Sequence, residues 1–223
     1  MGCKPSKILA FDTSAAQCAA VLVEGGQIRA RRVEPMQRGQ AERLMPLLEE
    51  CLVDACLESS DLDRIAICIG PGNFTGIRIA VAAARGLALA TGVPALGVTF
   101  FEALAASRNG PVVAVARNPR GAPYVQVFPG DAGKPSEITD AQTEIRVPVD
   151  ATCVGFDAER IAGLMGLNHF LEVEVLDPEW IARAAAHKQL DTRSSPAPLY
   201  LRPADALTGE APPPLLLGIP HVP

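Results

Sequence analysis

Histidine, aromatic residues and runs of basic charge are all scarce in this 223-residue chain, and each scarcity closes a class of function. The only histidines are His169, His187 and His221, with no H-E-x-x-H pattern and no G-x-S-x-G elbow to accompany them. A hydrolase would need a base or a metal that this set does not supply. Trp, Tyr and Phe number 1, 2 and 7 while 48% of residues are hydrophobic, so the core must be built from Ala, Val, Leu and Ile. Twenty Lys and Arg stand against 25 Asp and Glu, a net charge of −5, and no Lys/Arg run is interleaved with aromatics. That argues against a chain that grips nucleic acid alone, because phosphate contacts dominate such affinity. The scattered Arg29, Arg31, Arg32, Arg38 and Arg43 read as a solvated face. The six cysteines (3, 18, 51, 56, 68 and 153) show no C-x-x-C spacing and read as small buried hydrophobes in a reduced cytosol. No apolar run reaches the roughly 18 residues of a spanning helix; the longest, 77–90, is interrupted by Arg78 and Arg85. Without a secretory h-region either, the expectation is a cytoplasmic protein that does not enter a membrane.

What the chain does have is a nine-residue loop, Gly70-Pro71-Gly72-Asn73-Phe74-Thr75-Gly76-Ile77-Arg78. It follows an apolar run, Ile65 to Ile69, that reads as a buried strand, and it opens an Ala-rich segment that reads as a helix. Such a loop can cradle an anion at the helix N-terminus, or it can let another backbone approach closely. It is not a P-loop: Gly76 is followed by Ile77 and Arg78, where a Lys and a hydroxyl residue would be needed. Nor is it a dinucleotide fingerprint, since Gly70, Gly72 and Gly76 are spaced one residue too long and the next strand ends in Thr99 rather than an acid. Asp12, Thr13 and Ser14 end an earlier strand; they read either as a nucleotide-facing acid with hydroxyl or amide donors, or as an Asx/ST-turn.

The loop, the helix behind it and the Pro-x-x-Gly-Val strand at 94–98 together resemble the bacterial TsaB (YeaZ) family. Ile8 to Ser14, Glu42-Arg43-Leu44-Met45-Pro46 and Pro198-Leu199-Tyr200-Leu201-Arg202 agree with it. The likeness is dense over 7–105 and sparse afterwards. It implies an α/β protein of two tandem ribonuclease-H-like lobes of the actin/ASKHA type, with mixed sheets flanked by helices. It also implies a role in forming N6-threonylcarbamoyladenosine at position 37 of tRNA. The resemblance makes Gly70, Pro71, Gly72, Phe74, Thr75, Gly76 and Arg78 the motif loop, and Asp12, Thr13 and Ser14 the candidate nucleotide contacts. Expected partners are a TsaD-type catalytic subunit, a TsaE-type ATPase, a second copy when alone, and tRNA only through the complex. No cofactor is expected to be held firmly, beyond ATP or ADP with Mg²⁺ at a complex interface. In TsaD two histidines after the Gly-Val strand bind a metal; Phe100 and Leu104 stand at those positions here and cannot donate a lone pair to one. The implied function is therefore a non-catalytic subunit, with an ATPase or phosphotransferase using Asp12 and the Gly70–Gly76 loop as the alternative. The loose myristoylation pattern at Met1-Gly2-Cys3 is set aside on the same likeness.

Periodicity places strands at 8–11, 19–23 and 28–33, a helix over 40–57, strand 64–69, helix 75–90, strand 94–98 and helix 100–107. Three antiparallel strands followed by alternating helix and strand make one lobe, 1–108. Asn109-Gly110-Pro111 marks a boundary to a degenerate copy, 109–203, with strands at 112–116, 124–128, 143–147, 153–156 and 170–176 and helices at 158–165 and 178–190. Eight of the twenty prolines fall between Pro196 and Pro223, and 204–223 is expected to be a poorly ordered tail. The 77–90 helix is apolar nearly all round, with small residues that permit close approach, so it must be covered on more than one side, either by burial between the lobes or by its own sheet on one side and a partner on the other; the family resemblance, whose members pair through first-lobe helices, implies the partner. Ile77, Val81, Ala84, Arg85 and Ala88 are the interface residues expected on it. The second-lobe segment departs from the Asp-Ala-Arg-x-Gly-Glu-Val-Tyr-like family pattern: Arg117 stands in place of the acid, and only Gly121 and Tyr124 are kept.

Overall fold

A computed structural model describes residues 6–129, 135–139, 145–189 and 195–201. Its centre is β1 (Lys7–Asp12), whose Ile8-Leu9-Ala10-Phe11 run is buried on both faces, as an uninterrupted apolar run requires. β1 pairs antiparallel with β2 (Gln17–Glu24), which turns through Gly25-Gly26 into antiparallel β3 (Gln27–Pro35). On its other edge β1 pairs parallel with β4 (Arg64–Cys68), and β4 with β5 (Ala95–Val98). The sheet order is β3-β2-β1-β4-β5. The helices that connect these strands are α1 (Gln40–Asp54), α2 (Phe74–Thr91) and α3 (Phe100–Ala106).

The second sheet repeats the plan. β6 (Val112–Ala116) pairs antiparallel with β7 (Tyr124–Phe128) and parallel with β9 (Thr152–Gly155); β7 pairs antiparallel with β8 (Ser136–Glu137) and β9 parallel with β10 (His169–Glu172). Its order, β8-β7-β6-β9-β10, is the first lobe's order strand for strand. The chain is thus two tandem ribonuclease-H-like lobes, and the duplication that the second half's sequence hardly shows survives in its pairing. α4 (Ala158–Met165) and α5 (Pro178–His187) complete it.

Side chains alternate across a strand, and that alternation sorts the core into layers. Leu9 and Phe11 of β1 join Leu44, Leu47, Leu48, Ile77, Ala80, Val81 and Ala84 beneath α1 and α2. Ile8 and Ala10 face the opposite way, into a cluster shared with Phe101 and Leu104 of α3, Ile181 and Ala185 of α5, and Val112 and Ala114 of β6. α3 and α5 therefore lie side by side between the two sheets, α3 packing chiefly on the second sheet and α5 on the first, each against the lobe to which it does not belong by sequence. α4 covers the far face of the second sheet, its Ile161 and Ala162 meeting Val113 and Val115 of β6. Polar ties fix the sandwich: Arg64 donates to the Ala185 and Lys188 carbonyls at the end of α5, and the Lys188 ammonium binds Gly97 O and Glu102.

Several sequence expectations need correction. The third strand of the second lobe is β8 at 136–137, while 145–147 has no regular structure and 143–144 lies outside the described residues. The apolar pattern at Ile145 and Val147 comes from side chains packed on the α4 core without pairing. β10 stops at Glu172 and α5 at His187, shorter than the apolar patterns, and α1 ends at Asp54 because Ala55 caps it and Cys56 turns left-handed (φ 54). α2 is 18 residues long with mean hydropathy 1.3, long and apolar enough by length and composition to cross a membrane, where the interrupted run suggested it was too short. The tail expected from Ala204 onward lies outside the described residues.

Candidate functional site

The turn after β1 and the glycine loop before α2 meet at the edge of the inter-lobe cleft, and the contact between them is backbone on backbone. A Cβ on Gly76 would lie 1.8 Å from the Thr13 carbonyl oxygen, and one on Gly72 would lie 2.8 Å from that of Ser14. Asn73 N donates to Ser14 O at 2.7 Å, and the Thr13 hydroxyl donates to Gly76 O at 2.7 Å. Gly70, at φ 105, occupies a conformation that side chains rarely adopt, against Ile77. The glycines therefore serve close approach, one of the two roles open to them. The start of α2 is capped by its own residue: Asn73 Oδ1 accepts from Gly76 N at 2.9 Å.

Asp12 is 0% exposed and makes no ion pair among the described residues. One carboxylate oxygen accepts from Ser14 N at 2.9 Å, which is an Asx-turn, and the other accepts from Gln17 Nε2 at 3.2 Å. Burial pushes its pKa above the ordinary value of 3.8; the hydrogen bonds from Ser14 and Gln17 oppose that shift without cancelling it. Gln17 Nε2 also donates to Leu176 O at 2.9 Å, so the acid, the amide and the second lobe form one buried chain. Thr13 is fully buried and Ser14 nearly so. An acid enclosed in this way is a structural joint between β1 and the other lobe, and Gln17, which sequence reasoning passed over, is its other half. The signal available was its position at the buried start of β2, opposite the Asp12 turn.

The outward side of α2 carries Phe74, Thr75, Arg78, Ala82, Arg85, Gly86 and Leu89, the last 88% exposed. Ile77, Val81 and Ala84, expected at an interface, instead point into the protein's own core, and Ala88 packs half-buried against it. The error has a simple cause: 77, 81, 84 and 88 follow the i, i+4, i+7 stripe, and that stripe is the one that seats the helix on its sheet. Of the residues named for the interface, Arg85 alone is exposed. It donates to Pro196 O at 2.8 Å, and Arg78 Nε donates to the Tyr200 hydroxyl at 3.1 Å while its guanidinium lies 3.7 Å from the Phe74 ring centroid. Leu199 N donates to Ile69 O. The 195–201 segment is thus strapped along the base of α2 by both of that helix's charged residues.

α1 presents Glu42, Met45, Pro46, Glu49 and Val53 outward. Arg43 sits among Glu34 and Glu50 at 2.6–2.8 Å and holds both carboxyls below their usual range. Arg29, Arg31 and Arg32 pair with Glu24, Asp177, and Glu50 and Asp54, which makes most of the expected basic face a neutralised one. The Cys18 and Cys51 thiols are pushed up to about 11 and those of Cys68 and Cys153 to about 12, chiefly by burial; Cys56 is exposed. Phe100 and Leu104, at the positions compared with metal ligands, are packing residues of α3. No cluster of three or more His, Cys, Asp or Glu poised for a metal occurs among the described residues.

Two mixed sheets of identical order, a glycine loop pressed on the β1 turn and a long half-exposed helix define a ribonuclease-H-like two-lobed protein whose first-lobe acid is closed in. Residues 33–126 match the TsaD family, described as tRNA N6-adenosine threonylcarbamoyltransferase. The protein Rv3421c of Mycobacterium tuberculosis is 30% identical over 203 residues, 90% of this chain and 94% of that protein. The tRNA threonylcarbamoyladenosine biosynthesis protein TsaB of Escherichia coli is 33% identical over 99 residues, and that of Bacillus subtilis 33% over 100. Those two matches span 44% and 45% of this chain but only 42% and 44% of the named proteins. The structure of YeaZ from Pseudomonas aeruginosa superposes with a TM-score of 0.71 at 26% identity, over 88% of this chain and all of that one. The chain belongs to the TsaB (YeaZ) family.

Proposed function

We propose that this chain is a non-catalytic subunit in the formation of N6-threonylcarbamoyladenosine at position 37 of tRNA, and that it works by offering its α1–α2 face to a TsaD-type catalytic subunit. The relatives named as tRNA threonylcarbamoyladenosine biosynthesis proteins support the pathway. The observation that carries the non-catalytic reading is the enclosure of Asp12: its two oxygens bond Ser14 and Gln17, it is fully buried, and the loop beside it has no Lys to reach a phosphate.

The docking reading rests on the pattern of α1 and α2. Both expose apolar residues, Met45, Pro46 and Val53 on one and Ala82 and Leu89 on the other, and a groove of about 390 Å³ runs along α1, lined by its Met45, Pro46 and Leu52, by Leu62 and Ile65, and by Leu87 of α2. α1 adds exposed acids seven residues apart, Glu42 and Glu49; α2 adds cations seven apart, Arg78 and Arg85, and no acid at all. A face with acid on one helix and base on the next is self-complementary under a two-fold axis, which supports a homodimer in the absence of the larger partner. It equally offers both signs to a different subunit. A TsaE-type ATPase, tRNA and any Mg²⁺–nucleotide then join the assembly rather than this chain alone. Co-purification with a candidate TsaD-type subunit, followed by light scattering, tests the docking. ATP turnover by the chain alone and as Asp12→Ala tests the rest: an Asp12-dependent rate would overturn the non-catalytic reading.

A further inference from the structure

The strap that runs along the base of α2 finishes, among the described residues, as one wall of a cavity of about 520 Å³. The start of α2 and the β6–β7 turn form the other walls. Phe74, Tyr124 and Tyr200 bring three aromatic rings to the lining, and Arg117 and Arg120 bring its only charges; no carboxylate lines it. The point at which the chain passes this wall is fixed. Leu199 N donates to Ile69 O at 2.8 Å, the Tyr200 hydroxyl accepts from Arg78 Nε at 3.1 Å, and the Tyr200 and Phe74 ring centroids are 5.7 Å apart.

Arg117 is exposed, its guanidinium lies 4.9 Å from the Phe156 ring centroid, and it makes no ion pair among the described residues. Arg29, Arg31, Arg32, Arg43 and Arg160 each have a carboxylate. A guanidinium steadied by a ring is suited to hold a carboxylate through two parallel hydrogen bonds. The sequence that leaves the cavity wall supplies one. Beyond Leu201 it reads Arg202-Pro203-Ala204-Asp205-Ala206-Leu207-Thr208-Gly209-Glu210, and Asp205 and Glu210 are the only acids after that point. Asp205 is four residues past Leu201, a reach of up to about 13 Å for extended chain. Residues 205 and 207 of an extended segment point to the same side, so an acid turned toward Arg117 brings a leucine toward the rings. So short a tether gives the segment an effective concentration on the order of 1 mM or more at its own cavity, and a weak contact is then populated.

We propose that residues 203–207 of this chain dock in the cavity, with the Asp205 carboxylate on the Arg117 guanidinium and Leu207 against the rings, so that the molecule covers this opening with its own chain. The contact needs neither the proline-dense stretch beyond Glu210 nor the α1–α2 face, so it stands or falls independently of the docking reading. The test is the rate at which thermolysin, which cuts on the amino side of leucine, cleaves the Ala206–Leu207 bond of the full chain, followed by mass spectrometry against a synthetic peptide of residues 199–212. A leucine seated among rings, with a charge-assisted pair beside it, should slow cleavage by about tenfold or more relative to the peptide. Arg117→Glu, remote in sequence from the cut bond, should speed it at least about threefold. Asp205→Arg should also speed it, and the double variant Arg117→Glu/Asp205→Arg should be cut more slowly than either single one. A thermal melt of each variant confirms that it folds, which an exposed position permits. Cleavage as fast as in the peptide, an Arg117→Glu chain cut at the parent's rate, single-variant effects that simply add in the double variant, or protection that vanishes on dilution and so belongs to a second copy would each overturn the proposal.

Discussion

Replacing Gly76 and Gly86 by alanine, one at a time, should move stability in opposite directions although both lie on α2. In a helix interior, alanine is favoured over glycine by about 1 kcal/mol. At Gly86 a Cβ meets nothing within 4 Å and the position is exposed, so the variant should gain that amount. At Gly76 the same atom would lie 1.8 Å from Thr13 O, 2.8 Å from Thr13 C and 3.3 Å from Ser14 Cα, all of them backbone. Relief requires the start of α2 to move off the β1 turn by well over an ångström. That movement breaks the Asn73 N to Ser14 O and Thr13 Oγ1 to Gly76 O bonds, both 2.7 Å, at about 0.5–1.5 kcal/mol each. Loosening of Ile77 and Ala80 in the core adds a comparable amount, so a net loss of about 2–4 kcal/mol is expected for Gly76→Ala. For a chain of this length about 1 kcal/mol corresponds to roughly 2–4 °C. Differential scanning calorimetry should therefore read a fall of about 5–15 °C for Gly76→Ala and a rise of about 2–4 °C for Gly86→Ala. A Gly76→Ala protein as stable as the parent would refute the close-approach account of the loop.

Three further outcomes follow from the same geometry. Because burial raises the Asp12 pKa in the folded protein, its contribution to stability is fully present below about 3.8 and is lost as pH rises through the folded value; Asp12→Asn should flatten that part of the stability–pH curve measured by urea titration. In a Cys3→Ser background, a thiol reagent at pH 8 should label Cys56 in the native state and reach Cys18, Cys51, Cys68 and Cys153 only on unfolding; rapid native labelling of all five would contradict their burial. Ala84→Glu should unfold the chain or cost about 3 kcal/mol or more, since it places a charge at a position with 0% exposure, whereas Ala82→Glu and Leu89→Asp should melt within about 2 °C of the parent.

Much of the first lobe was legible because its elements carry strong local signals. The Ile65–Ile69 run, the α1 stripe and the Gly25-Gly26 turn each specify an element without help from the rest of the chain. The second lobe was harder. Its third strand is the two-residue β8, too short to have a period, and its apolar Ile145 and Val147 pack without pairing, so a strand was expected where none forms. In the site, the roles of Asp12 and the glycines depend on which backbone lies across from them. Gly76 faces Thr13 over 63 positions of sequence, and no local pattern carries that distance. The outward face of α2 was missed for a related reason. A helix apolar on every side does not announce which stripe is inside, and the sheet beneath settles it. The strap at Pro196–Tyr200 that engages Arg78 and Arg85 had only its short Pro-Leu-Tyr-Leu run as a signal.

Docking of a TsaD-type subunit on the α1–α2 face, the heart of the proposed function, is read out by paired light scattering on the parent and on an Ala82→Glu/Leu89→Asp double variant. The parent should form a defined complex with the candidate subunit, and the folded double variant should elute as a monomer beside it. An equally tight complex from the double variant, with its melting temperature intact, would contradict it.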